Sequence, residues 1–311
     1  MRAWVAFGLA LLCACGGPPP PKPAPPPPPA PKPAPPEVPS EDAIVPEEID
    51  FEPKWRGTSF GAYLAPEYDF SKDDDKVDVI FQFHAGQMAG KAWRATRLKA
   101  IVVSATFGMG SAPYDHALRN PARFGKWIDE VLAKVAEEKG SRPLHLRRLG
   151  VVSFSAGFGA VHRILAQGYA DQIDALILLD SIHTSYTADH APNLHGIASL
   201  VDFANLAKER KKVMVITHSS IKPPDYPSCT ETTFALLDAI GLARTPLGGR
   251  NERGMEQIYR AEAGALHVFG FHGMAAKDHM DHLALVGDMV RTYVARRWAR
   301  MEALERRAAA P

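Results

Sequence analysis

The chain has 311 residues, 27 of them proline and three cysteine, with 36 Lys plus Arg against 35 Asp plus Glu. That balance leaves no excess positive charge to hold a phosphate backbone, which sets nucleic acid aside as a partner. Two of the cysteines fall within the first 15 residues and only Cys229 follows, so the rest of the chain carries no intrachain disulfide and depends on its core for stability.

In chain order, the first segment, "MRAWVAFGLALLCACGG", has one positive charge, an apolar run of about ten residues and then small residues. This is the layout of a secretory signal and too short for a membrane span, so export is expected. Its end, Leu12-Cys13-Ala14-Cys15-Gly16, resembles the bacterial lipoprotein signal. The resemblance implies that residues 1–15 are the signal segment and that Cys15 carries lipid. It would place the protein in the bacterial cell envelope, facing periplasm or exterior, with the membrane as a partner through acyl chains worth about 0.8 kcal/mol per buried methylene. The alternative is an ordinary cleaved signal with incidental cysteines.

Residues 16–50 read as a disordered stalk. Within them, 18–36 contain 14 prolines among Ala and Lys, a composition that favours extended polyproline II over a core. At about 3.1 Å per residue this tract spans about 60 Å. It would serve as a spacer, with a ligand for aromatic grooves or a thread through a polymer mesh as other readings.

Over 51–304, apolar runs alternate with amphipathic stretches, the pattern of a mainly parallel sheet with helices on both faces. Strands are expected at 77–84, 99–105, 148–154, 173–180, 212–218 and 265–272, most rich in Val, Ile and Leu with few polar interruptions. Helices are expected at about 121–139, 157–168, 199–210, 230–240 and 282–304, the last placing Trp298 among structural side chains. Residues 55–70 are candidates for opening antiparallel strands, and 305–311 for a frayed tail.

The stretch "LGVVSFSAGFGAVHRILA" (149–166) passes from an apolar run through Ser-X-Ser-X-Gly into helical periodicity. A strand that turns abruptly into a helix lifts the residue at the turn above the sheet edge and aims the next backbone N–H groups at whatever that residue attacks. The segment resembles the nucleophile elbow of the α/β-hydrolase family, Gly-X-Ser-X-Gly, with Ser153 in place of the first glycine and Gly157 as the second. The resemblance covers about residues 55–300 and implies an α/β-hydrolase-like sheet with a small cap or none, and Ser155 as nucleophile. The plain alternative is a serine that caps the helix.

A serine hydroxyl needs a base to take its proton, and the base an orienting acid. In that family the order is Ser, acid, His, with the histidine after the final strand. The segment "FHGMAAKDHMDHLALV" follows the last expected strand and offers His272, His279 and His282. A loop position favours His279, with His282 as alternative and His272 a weaker third. Asp180, ending "ALILLD", is the preferred acid; Asp225 is the alternative. Oxyanion donors would be the backbone N–H of Ala156 and one among Ala85, Gly86 and Gln87 in "FHAGQMAG", which resembles the family's His-Gly oxyanion motif.

Together these imply a membrane-anchored serine hydrolase acting on a small or polymeric ester or amide without a cofactor. The connections 181–198 and 221–228 would line two sides of its entrance. Two other classes compete: a non-catalytic hydrolase-like surface module, and a metal-dependent hydrolase using His279 and His282, for which no strong third ligand is evident.

Overall fold

The computed structural model describes residues 62–64 and 75–309. The signal segment with Cys15, the stalk and most of 55–70 lie outside the described residues. Among the described residues nine strands form one sheet: β1 (Ala62–Leu64), β2 (Lys76–Phe83), β3 (Ile101–Ala105), β4 (His145–Phe154), β5 (Ile173–Leu179), β6 (Val213–His218), β7 (Thr245–Pro246), β8 (Gln257–Ala263) and β9 (Leu266–Phe271), in the order β1-β3-β2-β4-β5-β6-β9-β8-β7. The six central strands are parallel; β1, β7 and β8 pair antiparallel.

Both faces of the sheet are buried, because alternate residues of each strand enter different cores. Phe81, Val103 and Val151 pack with Trp127, Phe203 and Leu236 on one side. Ile80, Val102 and Val152 pack with Trp93, Val290 and Trp298 on the other. That double burial is why these strands read as continuous apolar runs. The first face is covered by α2 (Ala112–Ala117), α3 (Arg123–Lys139), α4 (Phe158–Ala166), α5 (Ala198–Lys208) and α6 (Cys229–Ala239); the second by α1 (Gly90–Thr96), α7 (Ala276–Ala284), α8 (Val286–Met289) and α9 (Arg296–Ala309). In α3 the buried residues Phe124, Trp127, Ile128, Val131, Leu132 and Val135 fall at the spacing that lines one helical stripe.

All six expected central strands form, within three residues of their expected ends. The β8–β9 hairpin adds an edge that apolar runs do not reveal: in β8 the buried Tyr259 and Ala261 alternate with exposed Arg260 and Glu262. The closing helical region also starts earlier, at Ala276 rather than 282, and passes through a π-helical stretch over Val290–Ala295. At its far end, α9 continues to Ala309, into the expected frayed tail, whose last two residues lie outside the described ones. Glu305 accepts two hydrogen bonds, at 3.0 and 3.1 Å, from Arg148, a buried side chain that also meets buried Asp78 at 3.4 Å. A buried guanidinium needs such partners, so the helix is held where an exposed end would fray.

From β2 the chain moves one way across the sheet to β3, then returns past β2 to β4 and continues the other way. The carboxyl ends of β2 and β4 therefore flank a crevice at the reversal point, where open α/β sheets bind ligands. Six parallel strands in this order, an antiparallel strand beyond β3, and a strand-turn-helix unit at β4–α4 make this an α/β-hydrolase fold. Among the described residues no helix is long and apolar enough to cross a membrane. The connections after β5 and β6 hold only one short 3-10 turn, Leu194–Ile197, and so build no helical lid.

Candidate active site

Strand β4 ends at Phe154, and a 3-10 turn over Ser155–Gly157 leads directly into α4. Ser155 sits at this turn with φ 48°, in the left-handed region that a residue with a Cβ seldom occupies. Such a conformation costs on the order of 1–3 kcal/mol and persists only where surrounding contacts hold it. Ala156 and Gly157 beside it are buried while Ser155 is half-buried, at the mouth of the crevice. Gly157 is required by close approach: a Cβ there would meet the Phe83 carbonyl oxygen at 2.3 Å. Gly157→Ala is expected to cost about 2 kcal/mol of stability through overpacking, readable as a lower urea midpoint. An unchanged midpoint would show that β2 and the turn are not in contact.

The loop after β2 faces this turn across the reversal point. His84 and Ala85 have φ 69° and 52°, so the chain leaves the strand sharply before a 3-10 turn over Gly86–Ala89. The opening N–H groups of a helical turn have no partner within it, so Ala85, Gly86 and Gln87 remain the candidate donors on this side. A Cβ on Gly86 would lie 2.7 Å from Ser104 Oγ, which ties this loop to β3. Ala156 N–H lies in the matching 3-10 turn that precedes α4.

Asp180 follows β5 with φ 45° and is buried. Its Oδ1 accepts the Ser219 N–H at 2.9 Å, and its Oδ2 lies 2.7 Å from His279 Nδ1. A carboxylate only accepts, so His279 carries its proton on Nδ1 and keeps the Nε2 lone pair. Burial opposes the Asp180 charge, yet the imidazoles of His282 and His279 and the Ser219 N–H outweigh it and hold the carboxyl below the usual carboxylate range. The His279 ring stacks on Phe154, the residue before Ser155, with centroids 4.5 Å apart. Among the described residues the Ser155 hydroxyl makes no hydrogen bond.

The other candidates lie elsewhere. His279 is in the first turn of α7 rather than in a loop, because Asp278 accepts the Ala275 N–H at 2.8 Å and starts the helix early. His282, one turn on, is fully buried; its Nδ1 meets Thr217 Oγ1 at 2.8 Å, its Nε2 has no partner, and burial pushes its pKa down to about 4. His279 and His282 thus engage different groups, and among the described residues no cluster of three or more His, Cys, Asp or Glu is placed to hold a metal ion. Asp225 is exposed. His272 is exposed too and lines a cleft of about 450 Å³ with Arg250, Met274, Lys277 and Asp281.

His183, Ser181 and Tyr226 were not singled out by the sequence. His183 lies with Nε2 3.3 Å from the Ser155 carbonyl oxygen and Nδ1 3.9 Å from Cys229 Sγ. Tyr226, 43% exposed, meets the His183 ring edge-on at 5.8 Å. Tyr186 Oη reaches Glu231 in the first turn of α6 at 3.5 Å, so with the His183–Tyr226 contact the connection after β5 meets both the connection after β6 and the helix that follows it.

No protein-family model and no curated protein matches the sequence. Among solved structures, the chain is similar to LpqC, a poly(3-hydroxybutyrate) depolymerase from Bordetella parapertussis, with TM-score 0.43 and 15% identity over 73% of this chain and 82% of that one. It is similar to a cold-adapted esterase from an Arctic intertidal metagenomic library, with TM-score 0.41 and 12% identity over 75% and 87%. An S-formylglutathione hydrolase from Agrobacterium tumefaciens gives TM-score 0.41 and 11% identity over 78% and 98%. At these scores the fold assignment rests on strand order and the strand-turn-helix unit alone.

Proposed function

We propose that the protein is a serine hydrolase that cleaves an ester or amide through an acyl-enzyme on Ser155. The observation that carries this reading is the 2.7 Å bond between Asp180 and His279 at the sheet edge where Ser155 stands in a left-handed turn. Residues 99 positions apart in sequence meet there, beside a serine whose strained conformation has no need in a plain helix cap.

In this mechanism Nε2 of His279 takes the Ser155 proton as the hydroxyl oxygen attacks the carbonyl carbon. Asp180 holds the ring in that tautomer and stabilises the imidazolium. The carbonyl oxygen, now an anion, accepts from Ala156 N–H and from one N–H of the Ala85–Gln87 loop, each such donor being worth about 3–4 kcal/mol in the transition state. The imidazolium then gives its proton to the leaving alcohol or amine. Water, deprotonated by the same Nε2, releases the acid and restores the serine.

The substrate side of the site is open and partly apolar. Met109, Leu194, Tyr226 and Met274 are exposed, and they stand in the connections after β3, β5, β6 and β9, all at the carboxyl edge of the sheet. Exposed apolar side chains along this edge support an ester with a bulky or polymeric apolar part. The N-terminal sequence supports export, lipid attachment at Cys15 and presentation of the domain on a proline-rich stalk.

The test is covalent labelling of the full-length protein by a fluorophosphonate, with Ser155→Ala, His279→Ala and His282→Ala beside it. Labelling is expected in the parent, absent in Ser155→Ala and strongly reduced in His279→Ala. A folded parent that takes no label would favour the non-catalytic surface module, and equal loss in His282→Ala alone would move the base one turn along α7.

A further inference from the structure

The departure from Gly-X-Ser-X-Gly at Ser153 has a structural counterpart. Ser153 is fully buried, with Oγ 2.8 Å from Ser181 Oγ, and Ser181, also fully buried, donates to the carbonyl oxygen of Ser155 at 2.9 Å. That commits the single Ser181 proton, so Ser153 is the donor in the bond between the two hydroxyls. The same carbonyl accepts from His183 Nε2 at 3.3 Å and from the Phe158 N–H. Because a carbonyl only accepts, the His183 proton is on Nε2, and Nδ1 is left to accept from the Cys229 thiol at 3.9 Å. Burial lowers the His183 pKa and raises that of Cys229, which keeps this pair neutral.

The carbonyl of Ser155 and the N–H of Ala156 belong to one planar trans peptide, so they point in opposite directions and turn together. A grip on the oxygen therefore sets the aim of the N–H. We infer that Ser181 and His183, backed by Ser153, are positioning residues that hold Ser155 in its left-handed turn and aim the Ala156 N–H at the developing oxyanion. This rests on the hydrolase reading above and goes beyond it. Both gripping side chains come from the three residues after Asp180, so one segment positions the acid and the oxyanion donor. A glycine at 153 would remove the hydroxyl that orients Ser181. Serine at this position is therefore part of the device, and restoring the family pattern is expected to lower activity.

The experiment compares Ser181→Ala, His183→Ala, His183→Gln and Ser153→Gly with the parent in the full-length protein. Active sites are counted by fluorophosphonate titration, and kcat per titrated site and KM are measured with p-nitrophenyl butyrate. Ser181→Ala and His183→Ala are each expected to lower kcat per site about 10-fold or more with KM within about twofold, the signature of an interaction made in the transition state. Ser153→Gly is expected to show a smaller fall, and His183→Gln, which keeps an N–H for the carbonyl, to recover most of the loss in His183→Ala. A purely structural role would reduce the number of titrated sites and leave kcat per site unchanged. That result in both Ser181→Ala and His183→Ala overturns the inference while the hydrolase reading stands. A parent that cannot be titrated at Ser155 overturns both.

Discussion

Asp180→Asn is expected to lower kcat about 10⁴-fold with little change in fold, whereas Asp225→Asn leaves it unaltered. The magnitude follows from what the carboxylate does. Asp180 accepts from His279 Nδ1 at 2.7 Å and from Ser219 N–H at 2.9 Å, so both oxygens act as acceptors. An asparagine has one oxygen and one NH₂, and the Ser219 amide, a fixed donor, claims the oxygen. The NH₂ then faces His279 Nδ1, which must become an acceptor, and the proton moves to Nε2, where it blocks removal of the Ser155 proton. Loss of the correct tautomer in a serine-histidine-carboxylate unit costs about 10⁴ in kcat. The measurement is kcat on p-nitrophenyl butyrate for both variants across pH 6–9. An Asp180→Asn protein retaining more than about a tenth of parental kcat would show that the His279 tautomer does not limit the reaction, and a large loss in Asp225→Asn would transfer the acid role.

The second large effect is a loss of stability in mild acid. His282 is fully buried with Nε2 unpartnered, and burial pushes its pKa down to about 4 from an ordinary value near 6.5, outweighing the pull of the Asp180 charge. In the unfolded chain the same imidazole protonates near 6.5, so between pH 6.5 and 4 the unfolded state binds more protons and folding stability falls as pH falls. The contribution is fully present above about pH 6.5 and exhausted near pH 4. At about 1.4 kcal/mol per pKa unit, His282 alone accounts for about 3 kcal/mol. His183 and His218, also lowered by burial, act in the same direction. Asp180, held below the usual carboxylate range, adds a further loss only below about pH 4. Urea midpoints are expected to decline steadily from pH 7 to 4, and His282→Gln to flatten that decline. A parental midpoint constant across this range would contradict the burial of an uncharged His282.

Some features of this protein are written in local sequence. Strands buried on both faces must be apolar throughout, so β2, β3, β4, β5, β6 and β9 show as Val-, Ile- and Leu-rich runs. The step from β4 to α4 shows as a change of period around small residues, because a turn packed against the Phe83 carbonyl admits little else at Gly157. Asp180 stands out as a carboxylate ending a parallel strand. Other features leave weaker traces. The β8 strand carries charge on its exposed face and lacks an apolar run, and the start of α7 follows Ala275, which has no capping side chain; the signal there is Asp278, three residues on.

Composition and periodicity thus determined the layered α/β architecture and the serine at its turn, since burial and turn geometry act on neighbouring residues. Tertiary structure alone decided which histidine meets Asp180, that His183 and Ser181 converge on the Ser155 carbonyl, and that His183 meets Tyr226 across the connections after β5 and β6. Those relations depend on strand order and on the depth to which each side chain is buried. Both are set by packing between segments 26 to 99 residues apart, a distance over which no local pattern carries information.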